Sequence, residues 1–274
     1  MTTDRYDRQS FLGPRSEEIF NNIRVGVVGL GGAGSHVVQQ LAHVGIKHWA
    51  LYDPDAVDKE ATNLNRLVGA TLQDATDQTP KIEIAERIIY GLVPDAECVS
   101  FQNKWQLNDS DLRMCDVIFG CVDAFGERAD LERFARRFLI PYIDIGMDVL
   151  DDGTHYSIVG QVARSIPGEP CLWCMHILNN ETIAEEAKKY GAAGNRPQVV
   201  WPNGILASTT VGLFIETVSP WHQSMRPVAC LEYDGNKHTV ETSPLLEYLE
   251  DGGCPHFRIE DAGDLFFRLP VNKI

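Results

Sequence analysis

Basic residues are scarce in this sequence. Its 274 residues carry 24 Lys and Arg against 39 Asp and Glu, a formal net charge of −15. Nucleic acids are held by clustered Lys and Arg, so this balance argues against a nucleic-acid partner. Long apolar runs are missing as well. No stretch approaches the ~18 residues of a membrane span, and the opening MTTDRYDRQS lacks the apolar core of a secretory signal. The seven cysteines are an odd number in a chain of this size, which is no disulfide framework and points to a reducing cytoplasm. Internal repeats, low-complexity tracts and a clean linker are also lacking. With 44% apolar and 23% charged residues, the chain reads as one globular unit able to bury a sizeable core.

The apolar residues that are present alternate between two periods. Short Val- and Ile-rich runs at 23–29, 48–52, 97–101, 116–121 and 141–146 read as strands. Between them, 36–44, 81–92, 109–113 and 126–138 have helical spacing, with Pro80 placed to open the second of these. Strand and helix repeated in this way predict a doubly wound, Rossmann-like α/β sheet, mostly parallel. The second half differs. Residues 154–163 read as one long strand or a hairpin, 164–174 as a loop, 180–190 as a polar helix and 191–197 as a flexible segment. An apolar helix is expected at 204–218, in the core. A hairpin is expected at 228–242 around Asp234-Gly235-Asn236, giving a mixed or antiparallel extension. The organisation is thus an N-terminal arm (1–22), a nucleotide-binding core (23–150) and a C-terminal region (151–274).

Gly29-Leu30-Gly31-Gly32-Ala33-Gly34 matches G-x-G-x-x-G between a strand and a helix. Glycines there permit the tight turn, close approach of backbone to phosphate, and close packing of helix on sheet. Asp53, at the exit of the next strand and followed by Asp55, is placed to bind ribose hydroxyls. This much suits NAD, FAD or ATP equally. His36, just after the turn, reads as a surface residue of the first helical turn.

Three further features do not belong to hydride transfer. Asn63-Leu64-Asn65-Arg66 follows the acidic strand exit. Lys81 starts a helix, where the dipole disfavours a cation unless an anion is near. Asp123 ends the fourth strand, at the sheet edge where ligands of such folds bind. Together they supply what nucleotidyl transfer to a carboxylate needs. Arg66 and Lys81 offset phosphate charge, and Asp123 offers Mg²⁺ an oxygen ligand. A carboxylate nucleophile is ionised near neutral pH and needs no general base.

Arg5-Tyr6-Asp7-Arg8-Gln9, the loop Gly29 to Ser35, Asp53-Pro54-Asp55, Asn63 to Arg66, Lys81, Asp123 with Arg128, and Pro170-Cys171-Leu172-Trp173-Cys174 occur in this order. In this combination the chain resembles the ubiquitin-activating-enzyme-like superfamily, specifically its short bacterial ThiF/MoeB-like members, from about residue 5 to 257. The resemblance implies ATP- and Mg²⁺-dependent adenylation of the C-terminal carboxylate of a small ubiquitin-like β-grasp protein. It implies ribose binding by Asp53, phosphate contacts from Asn63, Arg66 and Lys81, and a metal-linked Asp123. It implies a homodimer, in which Arg8 reaches the neighbouring subunit's nucleotide. Ala124 departs from the Asn common at that position. The competing readings are adenylation of a small-molecule or tRNA-bound carboxylate, a nicotinamide or flavin oxidoreductase, and a non-catalytic scaffold.

Cys171 and Cys174 form a C-x-x-C pair that can share one tetrahedral Zn²⁺ if a second pair is supplied. The resemblance implies that second pair at Cys254-Pro255-His256-Phe257, with Phe257 where the fourth cysteine is expected. His256 then completes a Cys₃His set; the alternative is a lost site with free thiols. The resemblance also implies a crossover loop between Cys174 and the apolar helix, where many relatives carry a nucleophilic cysteine. Residues 175–203 contain none. Cys98, Cys115, Cys121 and Cys230 read as core. The expectation is an enzyme that stops at the acyl-adenylate and passes it to a sulfur-transfer or conjugation partner.

Overall fold

The structure, a computed structural model, describes residues 5–188, 197–219, 221, 228–249 and 254–257. Five apolar runs form the strands β1 (Arg24–Val28), β2 (His48–Tyr52), β3 (Glu97–Phe101), β4 (Val117–Gly120) and β5 (Tyr142–Asp151). They pair in parallel in the order β3-β2-β1-β4-β5. The order reverses between β1 and β4, which opens a crevice at their carboxyl ends. Three more strands, β6 (Tyr156–Ser165), β7 (Cys230–Asp234) and β8 (Thr239–Thr242), continue the same eight-stranded sheet in antiparallel fashion.

The helices α1 (Ser16–Asn22), α2 (Gly32–Val44), α3 (Leu72–Asp77), α4 (Lys81–Leu92), α5 (Asp109–Leu112), α6 (Phe125–Arg137), α7 (Asn180–Lys188) and α8 (Val200–Val218) complete the fold. Leu41 of α2, Ala85 of α4 and Leu206 of α8 join the inward residues of β1, β2 and β5 in one core cluster. Leu112 of α5 with Leu131 and Phe134 of α6 fill a second cluster against Ala50, Ile118 and Tyr142. The expected doubly wound sheet with an antiparallel extension is therefore the architecture found.

Several expectations change in detail. Within 154–163, Tyr156 onward belongs to one strand and not to a hairpin of its own; β6 is half of a ten-step ladder with β5, which runs to Asp151. β5 extends beyond the expected 141–146 to Asp151; its first four residues are buried and its last two exposed. α8 begins at Val200, before the apolar stretch that announced it. α1 and α3 were not anticipated; both are short and polar, and α3 is held by a capping box between Thr71 and Asp74. Of the segment expected to be flexible, residues 191–196 lie outside the described residues.

The two halves of the sheet meet at a buried ion pair. Arg128 of α6 is 3% exposed and Asp144 of β5 is fully buried. Arg128 Nε donates to Asp144 Oδ1 at 2.9 Å, a second guanidinium nitrogen bonds the other oxygen, and Tyr142 Oη donates to Oδ1 at 2.9 Å. Removing one member of such a pair leaves an uncompensated buried charge. Asp144→Ala is expected to lower unfolding free energy by roughly 3–5 kcal/mol, measured by urea denaturation. The double substitution Arg128→Met, Asp144→Leu is expected to recover most of that loss.

Candidate active site

The glycine turn is built by contact. Gly29 has φ +88°, and a Cβ there would lie 2.4 Å from the Cys121 carbonyl oxygen. A Cβ on Gly34 would lie 1.9 Å from the Gly29 carbonyl oxygen. These two glycines let α2 sit directly on the end of the sheet. Gly31 is different: nothing lies within 4 Å of its Cβ position. It caps α2 without a side-chain acceptor, so the first N–H groups of the helix remain available to an anion. Gly32 faces the other residues of the site, with Asn203 Nδ2 2.6 Å and Arg66 Cδ 3.4 Å from its Cβ position. Ser35 is buried, and its hydroxyl donates to the Gly32 carbonyl at 3.0 Å and accepts from Val68 N at 3.1 Å. That hydroxyl thus braces the turn against the chain that follows Arg66.

Asp53 is 4% exposed and closes the turn from the side. Its Oδ2 accepts the Leu30 N–H at 2.6 Å and its Oδ1 accepts the Asp55 N–H at 2.8 Å. Burial pushes its pKa up, against the opposing pull of Lys81 and of these two amides. Lys81 Nζ lies 2.7 Å from Asp55 Oδ2 and 3.5 Å from Asp53 Oδ1. The Lys81 N–H also donates to the Asp55 carbonyl at 3.1 Å, so the first turn of α4 is stitched to the exit of β2. The cation expected at a helix start is there, and two carboxylates hold it.

Asn63 is 9% exposed and its Oδ1 is buried without a hydrogen-bond partner; its backbone N–H is fixed by Asp58 at 3.0 Å. Arg66 is half-buried, with Nη1 3.2 Å from Asn65 Oδ1. Asp123 is exposed at the mouth of the crevice, where both of its oxygens accept from Gln198 Nε2 at 3.1 Å. The Gln198 carbonyl accepts from Asn65 Nδ2 at 3.3 Å. Contacts thus link Asp53, Asp55 and Lys81 to the glycine turn at Leu30, Arg66 to it at Gly32, and Asp123 to Arg66 through Gln198 and Asn65. Arg8 does not join them. It lies on an exposed 3₁₀ turn (Asp7–Leu12), whose neighbours Tyr6 and Gln9 pack on Gly45 and on the Val44 carbonyl. This is the far end of α2, about 20 Å of helix from the glycine turn.

Sequence reasoning missed Gln198 and Asn203 and misplaced His36. His36 is half-buried against Gly204 of α8, and burial pushes its pKa down. The one local signal was a polar Asn203 inside an apolar helix; it is 3% exposed.

Two hollows lie side by side, the smaller bordered by Asp123. A small one of about 60 Å³ is lined by Asp123, Arg128, Gly146, Gln161 and Gln198. A groove of about 590 Å³ runs from Phe125 and Gln161 across β6, β7 and β8 to Glu241. Gln161 and Phe125 line both. The register places Gly146, Gln161, Glu232 and Glu241 in one row across four strands.

A separate cluster lies in the loop after β6. The Sγ atoms of Cys171, Cys174 and Cys254 and one ring nitrogen of His256 all lie within 4.8 Å of one another. Cys171 and Cys174 are 3.5 Å apart, Cys174 and Cys254 3.6 Å, and His256 Nδ1 is 3.4 and 3.3 Å from the first two sulfurs. A tetrahedron with 2.3 Å Zn–S arms has edges of about 3.8 Å, so the donors fit a tetrahedral ion. Burial pushes the Cys171 thiol up; a cation at the centre would draw off its proton. Glu132 of α6 steadies this loop by accepting the Leu172 N–H at 2.7 Å. Phe257, in the position of the missing thiol, stacks on the Arg136 guanidinium at 5.5 Å. Elsewhere burial pushes the thiols of Cys98, Cys115 and Cys230 up to about 11, 12 and 12, the direction opposite to a reactive nucleophile.

The sequence profile described as the ThiF family matches residues 6–256. A SAMP-activating enzyme E1 of Haloferax volcanii is 30% identical over 177 residues, 63% of this chain and 61% of that protein. A tRNA threonylcarbamoyladenosine dehydratase 2 of Saccharomyces cerevisiae is 32% identical over 161 residues, 57% of this chain and 35% of that protein. The matched stretch thus spans less than two thirds of either relative. The crystal structure of Escherichia coli MccB with MccA-N7isoASN shares the fold, with a TM-score of 0.70, 20% identity, and coverage of 89% of this chain and 72% of that one.

The four glycines of the turn separate by what surrounds them. Gly34→Ala is expected to prevent stable folding, because the new methyl meets backbone and not a movable side chain. Gly31→Ala is expected to change the thermal midpoint by no more than about 2–3 °C. Circular dichroism melts of the two variants check both.

Proposed function

This chain belongs to the ThiF family, and from that premise we propose that it uses ATP to adenylate the C-terminal carboxylate of a small ubiquitin-like protein, releasing pyrophosphate. The observation that carries the reading is the convergence on the glycine turn. Asp53 bonds the turn itself, Lys81 touches Asp53, Arg66 lies against Gly32, and Asp123 connects to Arg66 through Gln198 and Asn65. An oxidoreductase has no use for two cations and a second acid at this place.

In this reading Asp53 and Asp55 orient the ribose end of ATP, and the bare N-terminus of α2 receives phosphate oxygens. The Asn63 side-chain amide donates to the same phosphates through Nδ2 once it is oriented. Lys81 leaves Asp55 for the triphosphate, and Arg66 stabilises charge on the departing pyrophosphate. Asp123 would hold Mg²⁺, which neutralises phosphate oxygens and makes the α-phosphorus more electrophilic. The attacking carboxylate oxygen forms a bond to that phosphorus as the bond to the β-phosphate oxygen breaks. Positioning carries the step.

The groove that opens from the Asp123 hollow onto β6–β8 supports a polypeptide substrate whose end reaches the crevice. A tRNA-bound carboxylate is the second reading, favoured by the similarity to a tRNA dehydratase and opposed by the net charge of −15. With its buried thiols turned away from thiolate character, the chain hands the acyl-adenylate directly to a sulfur-transfer or conjugation partner in the cytoplasm. Arg8, remote from its own glycine turn, serves the neighbouring site of a homodimer. Cys171, Cys174, Cys254 and His256 hold a structural Zn²⁺ that ties residues 254–257 to the loop after β6.

Lys81→Ala and Asp123→Ala are each expected to reduce ATP–pyrophosphate exchange at least about hundredfold, with the far-ultraviolet spectrum unchanged. Exchange is measured with ubiquitin-like proteins encoded beside the gene. Near wild-type exchange in either variant overturns the assignment. Metal analysis is expected to find one zinc per chain, lost in the Cys171→Ser, Cys174→Ser variant. Chelator is expected to lower the thermal midpoint of the parent and not of that variant.

A further inference from the structure

The segment that leads into α8, with the first turns of that helix, meets the site and α2 at four places. Gln198 Nε2 reaches both oxygens of Asp123 at 3.1 Å. Its carbonyl accepts from Asn65 at 3.3 Å, and Asn65 in turn accepts from Arg66 at 3.2 Å. Asn203 Nδ2 sits against Gly32 and donates to the Val199 carbonyl at 3.0 Å. Gly204 packs on His36 of α2. Nothing in the adenylation chemistry requires Gln198, yet its amide occupies the bidentate position that a cation would take on Asp123.

We propose that Gln198 is a positioning residue that acts as a latch: it holds Asp123 in the nucleotide-free form and must release it before Asp123 can serve Mg²⁺ and ATP. The inference rests on the reading of Asp123 given above. An amide donating to a carboxylate is charge-assisted, and the notch between the two Asp123 oxygens, where Gln198 Nε2 lies, cannot hold an amide nitrogen and a divalent ion at once. Arrival of metal and nucleotide therefore frees Gln198. Through its backbone carbonyl Gln198 also accepts from Asn65, which ties the segment to the far side of the crevice. The start of α8 is thereby coupled to occupancy of the crevice. The coupling is reciprocal, so anything that draws residues 198–201 away also favours the metal–nucleotide complex.

The test measures ATP binding by calorimetry on the full chain, with Mg²⁺ and separately in EDTA, for the parent and Gln198→Ala. The expected result is Mg²⁺-ATP binding about three- to tenfold tighter in the variant, the size of one ordinary hydrogen bond at an exposed carboxylate. Binding in EDTA is expected to be equal in both, because the latch competes only at Asp123. Trp201, three residues on and 52% exposed, reports the segment directly. Mg²⁺-ATP is expected to change the parent's tryptophan emission, Trp201→Phe to abolish the change, and Gln198→Ala to show the ATP-bound emission already without nucleotide. Equal or weaker Mg²⁺-ATP binding in Gln198→Ala overturns the latch and leaves the adenylation reading intact. A parent that binds ATP under neither condition overturns the adenylation reading and the latch with it.

Discussion

The site depends on one buried carboxylate. Asp53 leaves β2 at the point where the chain could continue in many directions, and its two oxygens are fixed by the amides of Leu30 and Asp55. The first bond ties strand β2 to the glycine turn after β1; the second shapes the exit so that Asp55 meets Lys81. A carboxylate taken out of water is costly unless it is paired and hydrogen-bonded. Here amides and an ammonium group supply that compensation, and the same groups are those we propose a nucleotide engages. Stability of the empty crevice and readiness for a charged ligand therefore have a common source.

The second constraint is the continuity of the sheet. β5 is parallel to β4 over Tyr142–Asp144 and antiparallel to β6 along its whole length. Asp144, with Arg128 and Tyr142, marks the place where the nucleotide-binding half becomes the half that carries the groove. The two halves are thus joined through a shared strand, and Gly146, Met147 and Asp148 of that strand line the hollow beside Asp123.

Much of this was legible in the sequence where chemistry is local. The glycine spacing, the short apolar strands bounded by turns, the Lys at a helix start and the C-x-x-C pair each show their character within a few residues, and each stands where it was expected. Long-range juxtaposition was not legible. Gln198 looks like an ordinary polar residue ahead of an apolar helix, and it acquires meaning only because α8 returns across α2. His36 was misread for the same reason, since nothing near it announces Gly204. The end of β5 was hidden by exposed residues that lack the alternation of a strand with one buried face. His256 and Cys254 lie more than eighty residues from Cys171, and family resemblance rather than spacing brought them forward.

The row of residues that crosses the antiparallel strands sets a measure. Gly146, Gln161, Glu232 and Glu241 stand side by side on successive strands, and neighbouring strands lie about 4.8 Å apart. From the outermost strand to the small hollow is therefore about 14 Å, the span of roughly four residues of fully stretched chain. The sheet behaves as a ruler. In the adenylation we propose, a substrate whose body rests on β8 needs a tail of that length to reach the crevice, and a shorter tail falls short however well the body is seated.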